Sequence, residues 1–412
     1  MTTLNVIRKN RNRVRKGLKF HFDYWLALSI AGLLVVGMLM VYSTTFDYGL
    51  RFYDQPTYFF IRQFVAMVIG IAGAVIILQF DYHILRRISV FLLVTTLVTL
   101  LLVLLFGKAY FGARRGLYGG SFQPSEFAKF AVILYIAHWL SSKGDRIKDL
   151  TYGLFPFSVI TGSVSALIVL QPDLGTAGLI AIIAFTMFFI AGADLRQFTI
   201  AGAVGIGIFF ILITILPHAA ARVDAYKIAL RDPIQAGWHI QQSVVALGSG
   251  RFFGVGLGES TQKFGPLPAA HTDGVFAILG EELGLFGGLI VISFFALMTW
   301  RGIKTALNAR DSYGFLLAMG ITAWLAAQAL INMAVITAII PFTGMPLPFL
   351  SYGGSSMLVS LLAVGVLLNI SRDAALDIKI QSQKPLRETL RENLSLRRRN
   401  RRAHISSFSR NS

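Results

Sequence analysis

Apolar stretches of about twenty residues, each long enough to cross a bilayer as a helix, recur along this chain. They fall near residues 24–44, 58–79, 86–106, 125–141, 155–171, 175–192, 197–216, 275–300, 313–339 and 355–371. Backbone polar groups in lipid must pair within their own segment, so runs of this length read as helices. The expected fold is an all-α polytopic membrane protein with about ten transmembrane helices. Composition agrees: 14% of the 412 residues are charged and 55% hydrophobic, whereas a soluble protein carries about a quarter charged residues. The weakest run is 125–141, which opens with Ser125, Glu126 and Lys129. The first run is too long for a signal-peptide core and lacks a small-residue cleavage site, so it reads as a retained span.

The net charge of +18 would suit nucleic acid, but its distribution does not. Arg8, Lys9, Arg11, Arg13, Arg15, Lys16 and Lys19 crowd one terminus, and Arg397, Arg398, Arg399, Arg401 and Arg402 the other. Basic tails beside membrane spans follow from the positive-inside rule and anionic lipid headgroups. The reading is therefore a membrane partner and no nucleic acid. It divides the chain into a basic cytoplasmic tail (1–22), a transmembrane domain (23–372) and a basic, disordered cytoplasmic tail (373–412). Both termini then lie in the cytoplasm, with Arg86, Arg87, Lys143, Arg146, Lys148, Arg196, Arg301, Lys304 and Arg310 on inside loops. Cysteine is absent, which excludes disulfides, thiolate nucleophiles and Cys-held metals.

Two outside loops break the charge rule. The first, 107–124, holds Lys108, Arg114 and Arg115; the long extracytoplasmic loop between helices 7 and 8, 217–274, holds Arg222, Lys227, Arg231, Arg251 and Lys263. Long loops are largely exempt from the rule, so simple solvation explains them, but outer cations would equally serve an anionic substrate. The stretch IIPFTGMPLPFLSYGGSS (339–356) is apolar, yet its prolines and glycines forbid a continuous helix. Irregular backbone at membrane depth must be buried in protein or line a cavity, so a re-entrant segment is expected before helix 10.

Four polar clusters sit on the outer side. In QPSEFAK (123–129), Glu126 and Lys129 either satisfy each other locally or leave Lys129, with Arg115, facing a cavity to receive phosphate oxygens. In QPDLGTA (171–177), Asp173 either caps the next helix or positions a cation. GVGLGESTQKFGPLP (254–268) lacks the strand-then-helix context of a nucleotide loop, and Gln262 and Lys263 matter through nearness to Asp273. Finally, His271, Asp273, Glu281 and Glu282 surround the start of helix 8. Their spacing does not suit a dedicated zinc site; a divalent ion shared by a carboxylate and a pyrophosphate is compatible with it. Asp273 reads either as a helix cap or as a functional carboxylate, and Glu281 and Glu282 as structural partners of Arg or Lys on neighbouring helices.

In order, QPSEFAK, QPDLGTA, GLGESTQKFGPLPAAHTD, GEELG and PFTGMPLPFLSYGGSS resemble the SEDS family of shape, elongation, division and sporulation proteins over residues 22–372. ARVDAY, QQSVVALGSG and the run ending in AHTD look more like the FtsW branch than the RodA branch. Gly274 stands where the family usually has an aromatic residue, and Arg251 where glycine is common.

The resemblance implies a peptidoglycan glycosyltransferase in the bacterial cytoplasmic membrane, working at the division septum. It would polymerise lipid II outside the membrane, without a nucleotide. Asp273 would be the general base, and Arg114, Arg115, Lys129 and Lys263 would bind the leaving pyrophosphate. Gln123, Ser125, Glu126, Gln171, Asp173, Gln262, His271, Ser351 and Ser355 would line the cavity, and a divalent cation, Mg²⁺ or Mn²⁺, would fit the leaving-group chemistry. Implied partners are a class B penicillin-binding protein and other division proteins. A lipid II flippase, a RodA-type elongation polymerase and a recruiting scaffold are the competing readings.

Overall fold

The computed structural model describes residues 22–107, 123–231 and 237–375. The chain divides into a compact unit, Asp23–Ile370, and a second made of Met1–Phe22 and Ser371–Ser412. The two expected basic tails lie almost wholly outside the described residues. Among the described residues twelve α-helices run in the order α1 (Tyr24–Tyr53), α2 (Tyr58–Gln79), α3 (His83–Phe106), α4 (Pro124–Lys143), α5 (Phe155–Val169), α6 (Leu174–Ile190), α7 (Leu195–Ile215), α8 (Pro217–Arg231), α9 (Trp238–Ser249), α10 (Val275–Leu307), α11 (Ser312–Ile336) and α12 (Gly354–Ala375). No strand occurs among the described residues. Eight of these helices, counting the turn Leu150–Leu154 with α5, are long and apolar enough to cross a membrane. α6 falls just short at 17 residues, and α4 is interrupted by Glu126 and Lys129. The protein is a multi-pass membrane protein, with the ten helices expected.

Segment 217–274 differs from the long loop expected. It holds α8, α9 and a 3-10 turn at Gln262–Phe264. Neither helix has the length of a span, which is why an apolar-run reading passed over them. Charge ties the turns at the opposite end of the bundle. Asp23 caps α1 by accepting from the Leu26 amide at 3.1 Å and also pairs with Arg301 of α10 at 2.5 Å. Asp311 caps α11 and accepts the Tyr82 hydroxyl at 2.5 Å.

The most consequential element is α10, which is broken at Gly284 (φ +67°, ψ −166°). A break inside a membrane helix strands carbonyls and amides that water cannot reach. Here the irregular stretch 251–256 takes them up. Val255 and Gly256 donate to the carbonyls of Glu281 and Glu282 at 2.9 and 3.1 Å; Leu285 and Phe286 donate to Arg251 and Phe252 at 2.9 and 3.1 Å. A Cβ at Gly284 would stand 2.6 Å from the Phe252 carbonyl, so both the positive φ and the close approach require glycine. Arg251 itself adopts φ +47°, a left-handed conformation consistent with glycine being common there in the family it resembles.

Gly284→Ala should therefore lower stability by more than about 1 kcal/mol, since alanine tolerates neither the positive φ nor the contact. Gly162→Ala, at a helical position with nothing within 4 Å, should be neutral or stabilising by up to about 1 kcal/mol. Thermal unfolding in detergent checks both; equal effects would remove the break's special role.

Candidate active site

Residues 337–353 have no helix and are buried at Met345, Leu347, Phe349, Leu350 and Ser351. The irregular segment is thus held inside protein, as expected of non-helical backbone at such depth. Three neighbouring elements supply partners to much of its backbone. Asn332 of α11 donates to the carbonyls of Met345 and Asp273 at 2.8 and 3.0 Å. Gln328, one turn earlier, donates to Pro346 at 2.8 Å. Ser351 donates to the Thr272 carbonyl at 2.6 Å and accepts from the Leu347 amide, while Tyr352 donates its amide to the His271 carbonyl at 2.9 Å. Gln63 of α2 bonds Ser351 and Gly353.

These bonds staple His271–Thr272–Asp273 to the irregular segment by the main chain. Gly274, with no side-chain cap, is the N-cap of α10. The half-buried Asp273 precedes that N-cap. Its Oδ2 lies against Gly344, 3.4 Å from where a Cβ would stand. Gly344 has φ +72°, and its lack of a side chain leaves room in front of the carboxylate. Gly274 is tight: a Cβ would meet Leu267 at 3.0 Å and Ala270 at 3.3 Å. An aromatic residue there would need the 267–270 turn to shift.

The sequence-derived cations land differently. Lys129 is 2% exposed, with Nζ 2.9 Å from both carboxylate oxygens of Glu126, 2.8 Å from Gln328 Oε1 and 5.1 Å from the Trp324 ring. Burial of a lone ammonium is too costly to leave unpaired, and here Glu126 is the partner. Lys263 is likewise committed: Nζ binds Glu282 at 2.9 Å, Ser43 at 3.0 Å and the Gly258 carbonyl at 2.6 Å. Glu282 thus finds its lysine on the 3-10 turn rather than on a neighbouring helix. Glu281 pairs with no cation in these contacts but accepts from Ser260 Oγ, Thr261 N and Thr261 Oγ1. Arg114 and Arg115 lie outside the described residues.

Among the polar candidates, Gln123 and Ser355 meet, the Gln123 amide donating to Ser355 Oγ at 3.2 Å. Ser125 is buried beside them in sequence, its hydroxyl without a hydrogen-bond partner among the described residues. Gln171 donates to the Leu100 carbonyl inside α3 at 2.7 Å, and Asp173 caps α6 by accepting from the Thr176 amide at 3.2 Å. Both are structural in these contacts, but they set α6 so that Gly175 abuts Thr343. Gln262 has a buried Oε1 with no partner among the described residues. His271 stacks against Tyr48, Phe59 and Tyr352, and burial pushes its pKa down to about 4. At neutral pH it is uncharged and adds no positive charge to the site. Sequence reading missed Gln328, Asn332 and Gln63. The available signal was a Gln and an Asn at i, i+4 in an otherwise apolar helix, which places two amides on one face.

The comparisons with known proteins agree with this architecture. Residues 24–376 match the cell cycle protein family of FtsW, RodA and SpoVE. The chain is 40% identical to a probable peptidoglycan glycosyltransferase FtsW of Trichlorobacter lovleyi, over 85% of this chain and 93% of that one. It is 41% identical to stage V sporulation protein E of Bacillus subtilis, over 85% and 97%. Among solved structures it resembles a chain of a peptidoglycan synthase complex that coordinates polymerization and crosslinking (TM-score 0.70, 26% identity, 86% of this chain and 99% of that one). It also resembles the rod shape determining protein RodA of Thermus thermophilus (TM-score 0.63, 25% identity, 86% and 98%).

Lys129→Met should destabilise the protein by about 3–5 kcal/mol, because it strands a buried carboxylate. Lys129→Met combined with Glu126→Gln should recover most of that loss. Thermal unfolding of the two variants reads the difference; no recovery in the double variant would mean that Lys129 acts through something other than Glu126.

Proposed function

The chain belongs to the FtsW, RodA and SpoVE family of cell cycle proteins, and from that premise we propose that it polymerises lipid II into glycan strands at the outer face of the bacterial cytoplasmic membrane. Both termini are then cytoplasmic, and Asp273 opens to the outside. The observation that carries the reading is the carboxylate of Asp273, half-buried beside the side-chain-free Gly344. Hydrogen bonds from Asn332, Ser351 and Tyr352 to the carbonyls of Asp273, Thr272 and His271 anchor its turn.

A sugar hydroxyl is a poor nucleophile. A carboxylate within hydrogen-bond reach takes its proton as the oxygen attacks the donor's anomeric carbon, the bond to the polyprenyl diphosphate breaks, and the anomeric centre inverts. Such a base is typically worth about 10²–10⁴ in rate. Fixing the base on a stapled turn rather than a mobile loop keeps it in reach at no further entropic cost. Among the described residues no three His, Asp or Glu side chains converge on a metal. A Mg²⁺ or Mn²⁺ ion would therefore be held mainly by the diphosphate with Asp273, and would neutralise leaving-group charge.

The relatives named FtsW and the sporulation protein at 41% identity favour septal synthesis over elongation. The likeness to a complex that coordinates polymerization and crosslinking supports a class B penicillin-binding protein as the crosslinking partner.

The test supplies labelled lipid II to the protein purified with and without its cognate penicillin-binding protein, and reads polymer length on a gel. Asp273→Asn should lose about 10²–10⁴ in rate while unfolding at the wild-type temperature. Equal polymer from both proteins would remove Asp273 as the base. No polymer from either, with partner and divalent ions present, would restore the flippase reading.

A further inference from the structure

Lys263 and Glu282 flank Asp273 in the sequence and meet as an ion pair whose side chains are 6% and 0% exposed. A pair buried this deeply adds little net stability, because desolvation offsets most of the attraction; what it adds is a fixed geometry. Lys263 Nζ donates to Glu282 Oε1 at 2.9 Å, to Ser43 Oγ of α1 at 3.0 Å and to the Gly258 carbonyl at 2.6 Å. Ser43 donates in turn to the same Glu282 oxygen at 2.6 Å. One ammonium therefore joins α1, the 3-10 turn and α10. Glu281, the preceding residue, accepts from Ser260 Oγ, Thr261 N and Thr261 Oγ1. Two consecutive carboxylates of α10 thus hold residues 258–263 against the helix that Asp273 precedes.

From there the restraint passes to Asp273 through contacts alone. The Leu267 amide donates to the Gln262 carbonyl at 3.1 Å, tying the chain after Lys263 back to the 3-10 turn. Trp238 of α9 donates to the Pro266 carbonyl at 2.6 Å. Leu267 is 3% exposed and packs on Gly274, where a Cβ would stand 3.0 Å from it. The Ala269 carbonyl accepts from the Thr272 and Gly274 amides at 3.0 and 3.1 Å, closing the turn on both sides of Asp273. We infer that Lys263 and Glu282 are positioning residues for the Asp273 carboxylate. Their pair fixes the 258–267 loop on α1 and α10, and Leu267 against Gly274 passes that constraint to the turn. The inference rests on the glycosyltransferase reading for the role of Asp273. It gives Lys263 a part in the reaction with no contact to the leaving diphosphate. A base shifted by about 1 Å can lose about 10²-fold in rate, so a remote pair can matter this much.

Lipid II polymerisation by the purified full chain with its cognate penicillin-binding protein, resolved into kcat and KM, tests it. Lys263→Gln should lower kcat by about tenfold to 10²-fold and leave KM within about twofold. Lys263→Arg, which returns the charge and the donors, should recover most of kcat. Leu267→Ala leaves the ion pair intact and should lower kcat in the same way; it decides the matter should Lys263→Gln fail to fold in thermal unfolding. A raised KM at unchanged kcat would make Lys263 a substrate-binding cation and overturn the inference. Wild-type kcat in both Lys263→Gln and Leu267→Ala would overturn it too. A nitroxide on Pro268→Cys, exposed and the single thiol in a chain without cysteine, reads the turn without reference to catalysis. Its mobility should rise with Lys263→Gln and not with Lys263→Arg; no rise with Lys263→Gln would sink the restraint itself. Should Asp273→Asn polymerise lipid II as wild type does while the label loosens in Lys263→Gln, the base would fall and the restraint on its turn would stand.

Discussion

Backbone hydrogen bonding away from water is the constraint on which the rest of this structure depends. Most of the chain meets it with continuous helices. In two places it does not: the break in α10 at Gly284 and the irregular run 337–353. Each unwound stretch costs several kcal/mol per unsatisfied group unless another segment supplies partners. At Gly284 the partners are the main chain of 251–256; at 337–353 they are the amides of Gln63, Gln328 and Asn332 and the turn before α10. The second repair draws on the turn before α10, and so the irregular run 337–353 meets the turn that carries Asp273.

The charges obey the same logic. Glu126 and Lys129 neutralise each other in the interior, and Glu282 with Lys263 clamps the 3-10 turn onto α10. These pairs bring little net stability, because desolvation offsets much of their attraction. What they add is geometry. Gln328 accepts from Lys129 and from Trp324 while donating to Pro346, so the ion pair on α4 fixes the wall that faces the carboxylate. A charge needed for structure is thereby kept from competing with a charge needed for substrate.

Much of the fold was legible because lipid imposes a single strong rule on length and polarity. The ten helices, the re-entrant character of 339–356 and the polar motifs all follow from it. α8 and α9 were not legible, since helices of 15 and 12 residues carry no twenty-residue signal. The break at Gly284 was hidden because GEELGLFGG scans as a continuous helix, and the partner loop that requires the break is about thirty residues earlier. The site was legible as a list of residue types but not as a set of pairings. Lys129, Lys263 and Arg222 look equivalent in the sequence; only packing reveals that the first two are held by Glu126 and Glu282, whereas Arg222 donates to the Thr343 carbonyl.

That difference bears on how a lipid-linked reaction is arranged across an interface. The reacting sugar must sit in water-accessible space, the chain must stay in an apolar one, and the diphosphate between them must meet positive charge without sinking into the bilayer. Asp273 is half-buried at the start of α10, and Arg222 lies on α8. Thr343 and Gly344 join them, one giving its carbonyl to Arg222 and the other lying against Asp273. A continuous helix at 337–353 would bond those backbone groups to itself. The irregular segment is therefore what lets a carboxylate and a guanidinium be spaced by two adjacent residues, one of them a glycine.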